Sequence, residues 1–194
     1  DRGHIADPAG FHNQPAVPAT VYARRGFHPA LKLEWMSYQS EFAPDVPDAL
    51  TERYRGFKAT RTVHAAVARH PDDRPRPWMI CLHGLGTGSP WMDLPAFRAT
   101  LLHHYLGVNL IFPILPMHGK RRDPGMGRAQ FVSFDLVDTM LGLSQAVWDV
   151  RTLMRWLRAN NAERIGLFGL SIGAYVSGTV ATLEEADLLL AGIP

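Results

Sequence analysis

The chain has 194 residues, 46% of them hydrophobic and 20% charged, which predicts one globular unit with its own apolar core. Its formal net charge of +2 gives no reason to expect nucleic acid or an anionic membrane as a partner. A single cysteine, Cys81, excludes an intrachain disulfide, and its apolar surroundings predict a buried, inert thiol. No apolar run approaches the roughly 20 residues of a membrane span. We expect no metal, no cofactor and, without a visible signal peptide, a cytoplasmic location.

Two parts are predicted along the chain, an irregular extension over residues 1–59 and an α/β core over residues 60–194. Prolines interrupt residues 1–30, where no helical or strand period is present. Residues 31–42 are compatible with a short amphipathic element, and a short helix is expected after Pro47.

Beyond residue 60, apolar runs typical of buried strands alternate with periodic stretches typical of helices. The predicted strands cover residues 60–69, 78–84, 108–116, 164–171 and 187–194. The predicted helices cover residues 94–107, 131–159 and 172–186. This alternation predicts a predominantly parallel sheet with helices on both faces. Ligands bind beyond the carboxyl ends of such strands, so the loops at 83–92, 116–130 and 169–173 are expected to share one rim.

One serine stands between two glycines where a predicted strand meets a predicted helix, in the segment Gly169-Leu170-Ser171-Ile172-Gly173. A nucleophile elbow needs this setting, because its tight turn leaves no room for flanking side chains. Ser171 is therefore the candidate catalytic nucleophile. The alternative is a glycine-rich turn with an incidental serine.

The segment HGLGTG, residues 83–88, follows the buried strand at 78–84. A glycine-rich bend at this point can present a free backbone N–H, and acyl transfer needs two donors aimed at the oxyanion. The N–H groups of Leu85 and Ile172 are the candidate pair. For His83, bracing of the loop is favoured over proton transfer. Four glycines are expected to support the elbow and this loop: Gly84, Gly86, Gly169 and Gly173.

The segments CLHGLG, FPILPMHGKR and GLFGLSIGA, in this order and spacing, resemble the α/β-hydrolase superfamily over about residues 60–194. They are more specifically similar to α/β-hydrolase domain-containing protein 18-like sequences. The resemblance implies that Ser171 is the nucleophile and that Leu85 and Ile172 supply the oxyanion hole. It also implies hydrolysis of an ester or related acyl bond through an acyl-enzyme intermediate, with no cofactor.

The superfamily places its acid and then its histidine after the serine, whereas all nine histidines of this sequence precede Ser171. The acids that follow, Glu184, Glu185 and Asp187, are predicted to be solvated charges at the opposite end of the sheet. The triad acid and base are therefore expected beyond residue 194, so that the C-terminal part of the fold is missing and this piece alone is inactive. The apolar edge strand at 187–193 is expected to be covered by the missing segment or by another chain.

The sequence thus favours a serine hydrolase acting on a small-molecule acyl substrate. Two alternatives remain open, a non-catalytic binding protein with the same fold and an acyltransferase on the same scaffold. Trp91, Met117 and His118 are candidates for an apolar pocket at the rim, and His118 is a less favoured substitute base. The cluster Lys120-Arg121-Arg122 is predicted to be a solvated loop, with an anionic partner as the alternative.

Overall fold

A computed structural model of the chain describes residues 7–72, 74–124 and 135–193. The strands are β1 (Tyr22–Arg25), β2 (Glu34–Gln39), β3 (Thr62–Ala68), β4 (Trp78–Leu82), β5 (Asn109–Pro113), β6 (Ile165–Leu170) and β7 (Leu188–Gly192). The α-helices are α1 (Asp48–Arg55), α2 (Pro90–Ala96), α3 (Leu136–Ala159) and α4 (Ile172–Ala181). Short 3₁₀ turns lie at Pro8–Phe11, Lys58–Arg61 and Gly119–Arg121, and a π-helical turn lies at Leu101–Tyr105.

The described strands form one seven-stranded sheet in the order β1-β2-β3-β5-β4-β6-β7. β5, β4, β6 and β7 are mutually parallel, whereas β1, β2 and β3 pair antiparallel with their neighbours. Because β2 points the same way as those four strands, five of the seven share one direction. The predicted, predominantly parallel sheet is confirmed.

Helices cover both faces of this sheet, as predicted. Alternate residues of β4 enter two separate cores, with Ile80 and Leu82 in one and Met79 and Cys81 in the other. The first core also contains the buried faces of α3 and α4, and the second contains residues from α2 and the segment after it. Each fully buried Leu or Ile contributes about 1.5–3 kcal/mol. The predicted burial of Cys81 is confirmed, and this burial raises the pKa of its thiol, which disfavours the reactive thiolate.

The predicted helix at 94–107 is two separate elements. α2 begins earlier, at Pro90, and ends at Ala96, directly after the internal Pro95. Arg98 then adopts a φ of +49°, which no helix accepts, and the π-helical turn follows. The spacing of the apolar residues alone does not reveal this break in the helix.

Residues 1–59 contain more regular structure than the sequence indicates. β1 and β2 extend the sheet beyond β3, and Met36 and Tyr38 of β2 are buried in the first core. β1 carries four exposed residues, so it has none of the alternation that identifies a half-buried strand. The predicted short helix after Pro47 is confirmed as α1.

The long predicted helix at 131–159 is α3, which begins after its N-cap Asp135. The Asp135 carboxylate accepts the N–H groups of Val137 and Asp138, which satisfies two of the donors that a helix start leaves open. Residues 131–134 of the prediction lie outside the described residues. The predicted helix at 172–186 ends earlier, at Ala181.

Two charges that were predicted to be solvated are buried. The Glu184 side chain is 7% exposed and forms an ion pair with Arg151 (3.0 Å) and contacts two further arginines of α3. Arg121 is 1% exposed and its guanidinium lies 2.7 Å from the Asp149 carboxylate. Both predictions were wrong because the partners lie about 30 residues away, beyond the reach of any local pattern. Within the described ranges, no helix has the length and apolarity needed to cross a membrane.

Candidate active site

Ser171 lies at the junction of β6 and α4 with a φ of 53° and a ψ of −121°. A non-glycine residue in this conformation is strained by about 1–3 kcal/mol, and such strain clusters at functional sites. The side chain is exposed, and it stands at the N-terminus of α4, where the helix dipole favours negative charge. The Ser171 N–H donates to the Gly192 carbonyl (2.8 Å), which ties the turn to β7.

The two glycines of the turn have no room for a side chain. A Cβ on Gly169 would lie 2.2 Å from the Gly173 oxygen, and a Cβ on Gly173 would lie 2.0 Å from the Leu82 oxygen. These approaches are far inside van der Waals contact. The backbone itself therefore requires glycine at both positions, and α4 starts directly against the end of β4.

The 83–88 loop lies beside the elbow. A Cβ on Gly84 would lie 3.6 Å from both the Ser171 Cβ and the Leu170 oxygen. Gly86 and Gly88 have φ values of +78° and +102°, so glycine is favoured at both. Two of the three loops that the sequence assigns to one rim, 83–92 and 169–173, are therefore in contact, whereas residues 125–130 of the third lie outside the described residues.

Two backbone donors remain open at this contact. Within the described ranges, neither the Leu85 N–H nor the Ile172 N–H donates a hydrogen bond. Leu85 is exposed, and Ile172 is the first residue of α4, where an N–H has no partner inside the helix. Both groups are therefore available to an acceptor from outside the protein.

His83 is 2% exposed and forms a bridge between two loops. Its Nδ1–H donates to the Gly84 carbonyl (2.8 Å), while its Nε2 accepts the Leu115 N–H (3.0 Å). Burial, with a smaller effect from His118, lowers the pKa of His83 to about 3. A neutral imidazole with both nitrogens engaged fits the bracing role and leaves no lone pair for proton transfer.

Asp93 of α2 also fastens this loop, and sequence reasoning missed it. Its carboxylate is buried and accepts the Gly88 N–H (3.4 Å). Burial raises the pKa of Asp93 to about 6. An acid in the first turn of a helix directly after a glycine-rich loop is the local signal that could have indicated it.

The three candidate pocket residues differ in their surroundings. Trp91 is 63% exposed and its ring lies 4.6 Å from that of His28. Met117 is packed in the first core. His118 is 5% exposed, its ring lies 4.9 Å from that of His83, and burial lowers its pKa. Of the three, Trp91 presents its apolar surface to solvent.

Within the described ranges, no histidine or carboxylate is hydrogen-bonded to the Ser171 hydroxyl, and no cluster of His, Cys, Asp or Glu could hold a metal ion. Asp187 accepts the Ile165 N–H at the start of β6, the end of that strand away from Ser171. Glu184 is held by α3 arginines. The expectation that neither acid orients a catalytic imidazole agrees with these positions.

β7 is an edge strand of the described sheet and its leucines face solvent. Leu188, Leu189 and Leu190 are 46%, 42% and 38% exposed, and Ile193 is 81% exposed. The predicted apolar edge is therefore present, while what covers it stays a prediction.

No family model matches the chain. Two curated relatives from Mycobacterium tuberculosis are each 37% identical to it over 196 residues. They are Uncharacterized protein MT2702 of strain CDC 1551 / Oshkosh and Uncharacterized protein Rv2627c of strain ATCC 25618 / H37Rv. Each alignment covers 100% of this chain and 47% of the relative, so the chain spans about half the length of the curated relatives it matches.

Solved structures of esterases share the architecture at low sequence identity. Acetyl xylan esterase 1 from Thermoanaerobacterium sp. JW/SL YS485 gives a TM-score of 0.63 at 14% identity, covering 95% of this chain and 55% of that one. Acetyl xylan esterase from Paenibacillus sp. R4 gives a TM-score of 0.62 at 15% identity, covering 96% of this chain and 57% of that one. A cold-adapted esterase from an Arctic intertidal metagenomic library gives a TM-score of 0.56 at 15% identity, covering 88% of this chain and 64% of that one.

Sheet order, helices on both faces and a strained serine between β6 and α4 define the class of fold. The chain has the fold of the α/β-hydrolase superfamily, as its motifs predicted.

Proposed function

We propose that this protein is a serine hydrolase that cleaves a carboxylic ester of a small-molecule substrate through an acyl-enzyme intermediate. The observation that carries the proposal is the conformation of Ser171, an exposed serine in strained backbone at a helix N-terminus. Such strain lowers the stability of the fold. A turn in which the serine were incidental could carry glycine instead, which adopts this backbone conformation without steric strain.

In the proposed reaction the Ser171 hydroxyl attacks the ester carbonyl carbon as a general base removes its proton. The unpaired N–H groups of Leu85 and Ile172 donate hydrogen bonds to the carbonyl oxygen as negative charge develops on it. Each such donor lowers the barrier by about 3 kcal/mol. The protonated base gives that proton to the departing alkoxide, which leaves as the alcohol, and water then hydrolyses the acyl-enzyme to release the carboxylic acid and regenerate the serine.

The base and its orienting acid are proposed to lie outside the described residues, since His83 is engaged at both ring nitrogens. His83 and Asp93 are proposed to hold the 83–88 loop in place for the oxyanion. Support for an ester substrate comes from the similar structures, which are named as acetyl xylan esterases and a cold-adapted esterase.

Turnover of p-nitrophenyl acetate by the natural full-length protein tests the proposal. Ser171→Ala should lower kcat/KM by about a thousandfold or more, because the covalent route is lost. Ser177→Ala is the matched control and should retain turnover. Ser177 lies in the same helix, α4, but it is buried and its hydroxyl donates to the Gly173 carbonyl (2.8 Å), so it cannot reach a substrate. Turnover at the wild-type rate in Ser171→Ala would exclude Ser171 as the nucleophile, whereas a folded wild-type protein without turnover would favour a binding protein with the same fold.

A further inference from the structure

We propose that the outer strands of the sheet carry a second site, which binds a phosphate group. The site is an open groove of about 240 Å³ on β1, β2 and β3. Its polar and aromatic side chains are Tyr22, Arg24, Trp35, Ser37, His64 and Lys120. We call this set the β1–β3 groove.

The strand register brings these side chains onto one face of the sheet. Tyr22, Ser37 and His64 are opposite one another on three adjacent strands, and Arg24 is opposite Trp35 in the next row. Residues that pair across antiparallel strands point to the same face, whereas their neighbours in sequence point to the other. Hydroxyl, imidazole and guanidinium groups therefore converge from three strands.

Lys120 completes the groove from the loop after β5. Its ammonium lies 4.0 Å from the centre of the Trp35 ring, a cation–π contact that holds it over the sheet. Arg24 lies on the strand beside Trp35, so two full positive charges face the same groove.

These charges lack neutralising partners. None of the residues that line the groove is acidic, and within the described part of the chain neither Arg24 nor Lys120 pairs with a carboxylate. The pKa of Lys120 is lowered, first by burial and then by Arg24. That of His64 is lowered by burial and by Lys120, Arg121 and Arg24. Because these positive charges repel one another, an anion bound between them would stabilise the cluster.

A phosphoryl group fits this cluster better than a carboxylate does. It carries a charge of about −1.5 to −2 near neutral pH, which matches the two fixed cations, and it offers three acceptor oxygens. The Ser37 hydroxyl and the His64 imidazole can donate to the remaining oxygens. β3 and β6 are three strand spacings apart, about 14 Å, so the groove is separate from Ser171.

Titration with inorganic phosphate, at constant ionic strength set with chloride and at pH 7.5, tests the site. Saturable binding by calorimetry is expected, together with a rise in the NMR-measured pKa of His64 as phosphate is added. Arg24→Gln should weaken binding about tenfold, because a charged donor is lost. Arg25→Gln is the matched control, since Arg25 is the next residue on the same strand and points to the opposite face.

Phenyl phosphate in a parallel titration distinguishes the source of the group. Tighter binding than that of inorganic phosphate, lost in Trp35→Leu, would assign the group to an organic phosphomonoester, and equal binding would assign it to the free ion. Ser171→Ala should leave both affinities unchanged. Absence of saturation, or equal weakening by Arg24→Gln and Arg25→Gln, would overturn the proposal, since diffuse attraction does not distinguish the two faces.

Discussion

The closest backbone approach at the elbow gives a sharp mutational test. A Cβ at Gly173 would lie 2.0 Å from the Leu82 oxygen and 2.7 Å from the His83 oxygen. Cβ atoms do not approach other atoms within 3.0 Å, so Gly173→Ala must move α4 away from the end of β4 by about 1 Å. Both obstacles are backbone oxygens, so no side chain can rotate away to make room.

Overpacking typically costs about 1–3 kcal/mol, and a backbone clash on two sides belongs at the upper end of that range. For a chain of this size, about 3 kcal/mol corresponds to a fall of about 6–12 °C in melting temperature. The assay is thermal unfolding followed by calorimetry, with urea unfolding as a second measure. Activity should fall as well, because the shift moves Ser171 relative to the 83–88 loop.

Gly178 is the matched control, because it lies in the same helix and a Cβ on it would meet nothing within 4 Å. Gly178→Ala should stabilise the protein by about 0.5–1 kcal/mol through helix propensity alone. If Gly173→Ala proves as stable as Gly178→Ala, α4 does not start as close to the end of β4 as these distances require.

Three further predictions concern single side chains. Ser171→Gly should raise the melting temperature by about 2–4 °C relative to Ser171→Ala, because it relieves about 1 kcal/mol of net strain, and equal values would contradict that strain. Arg121→Leu should cost about 3–5 kcal/mol in urea unfolding, because it leaves the buried Asp149 carboxylate without its partner. Exposed Arg122→Leu should change stability by no more than about 0.5 kcal/mol, and similar costs for the two would refute the buried ion pair. The pKa of His83 falls from 6.5 to about 3 on folding, so its contribution to stability is complete above pH 6.5 and is lost as pH falls through 3. His83→Gln should flatten the fall of the unfolding free energy over that acid range, and an unchanged slope would contradict the assignment.

The core of the fold could be predicted because its strands are buried on both faces. β4 and β5 are buried at every position, and apart from Asn109 at the start of β5 each is an apolar run in the sequence. The elbow could be predicted for a related reason, since glycines at 169 and 173 are forced by backbone contacts that a tight turn always makes.

Features that depend on distant partners could not be predicted. The burial of Arg121 depends on Asp149 of α3, and the burial of Glu184 depends on Arg151. Because these partners are distant in sequence, the local charge pattern predicts that both side chains are exposed to solvent. β1 is recognisable only from its pairing with β2. The division between residues 1–59 and 60–194 stays a prediction.

The candidate site was predicted as a set of residues but not as a set of interactions. The proximity of Gly84 to Ser171 follows from parallel strands ending at one edge, and the sequence indicates this. The double engagement of His83 needs Leu115, which lies 32 residues along the chain, and no spacing rule places the two together.

Covalent labelling of the natural full-length protein by a fluorophosphonate probe tests the central claim most directly. A serine nucleophile displaces fluoride and carries the phosphonate, so peptide mapping identifies the modified residue. We predict one adduct, on Ser171, which disappears in Ser171→Ala and persists in Ser177→Ala. A folded protein that acquires no adduct, or acquires it on another serine, would contradict the assignment of Ser171 as the nucleophile.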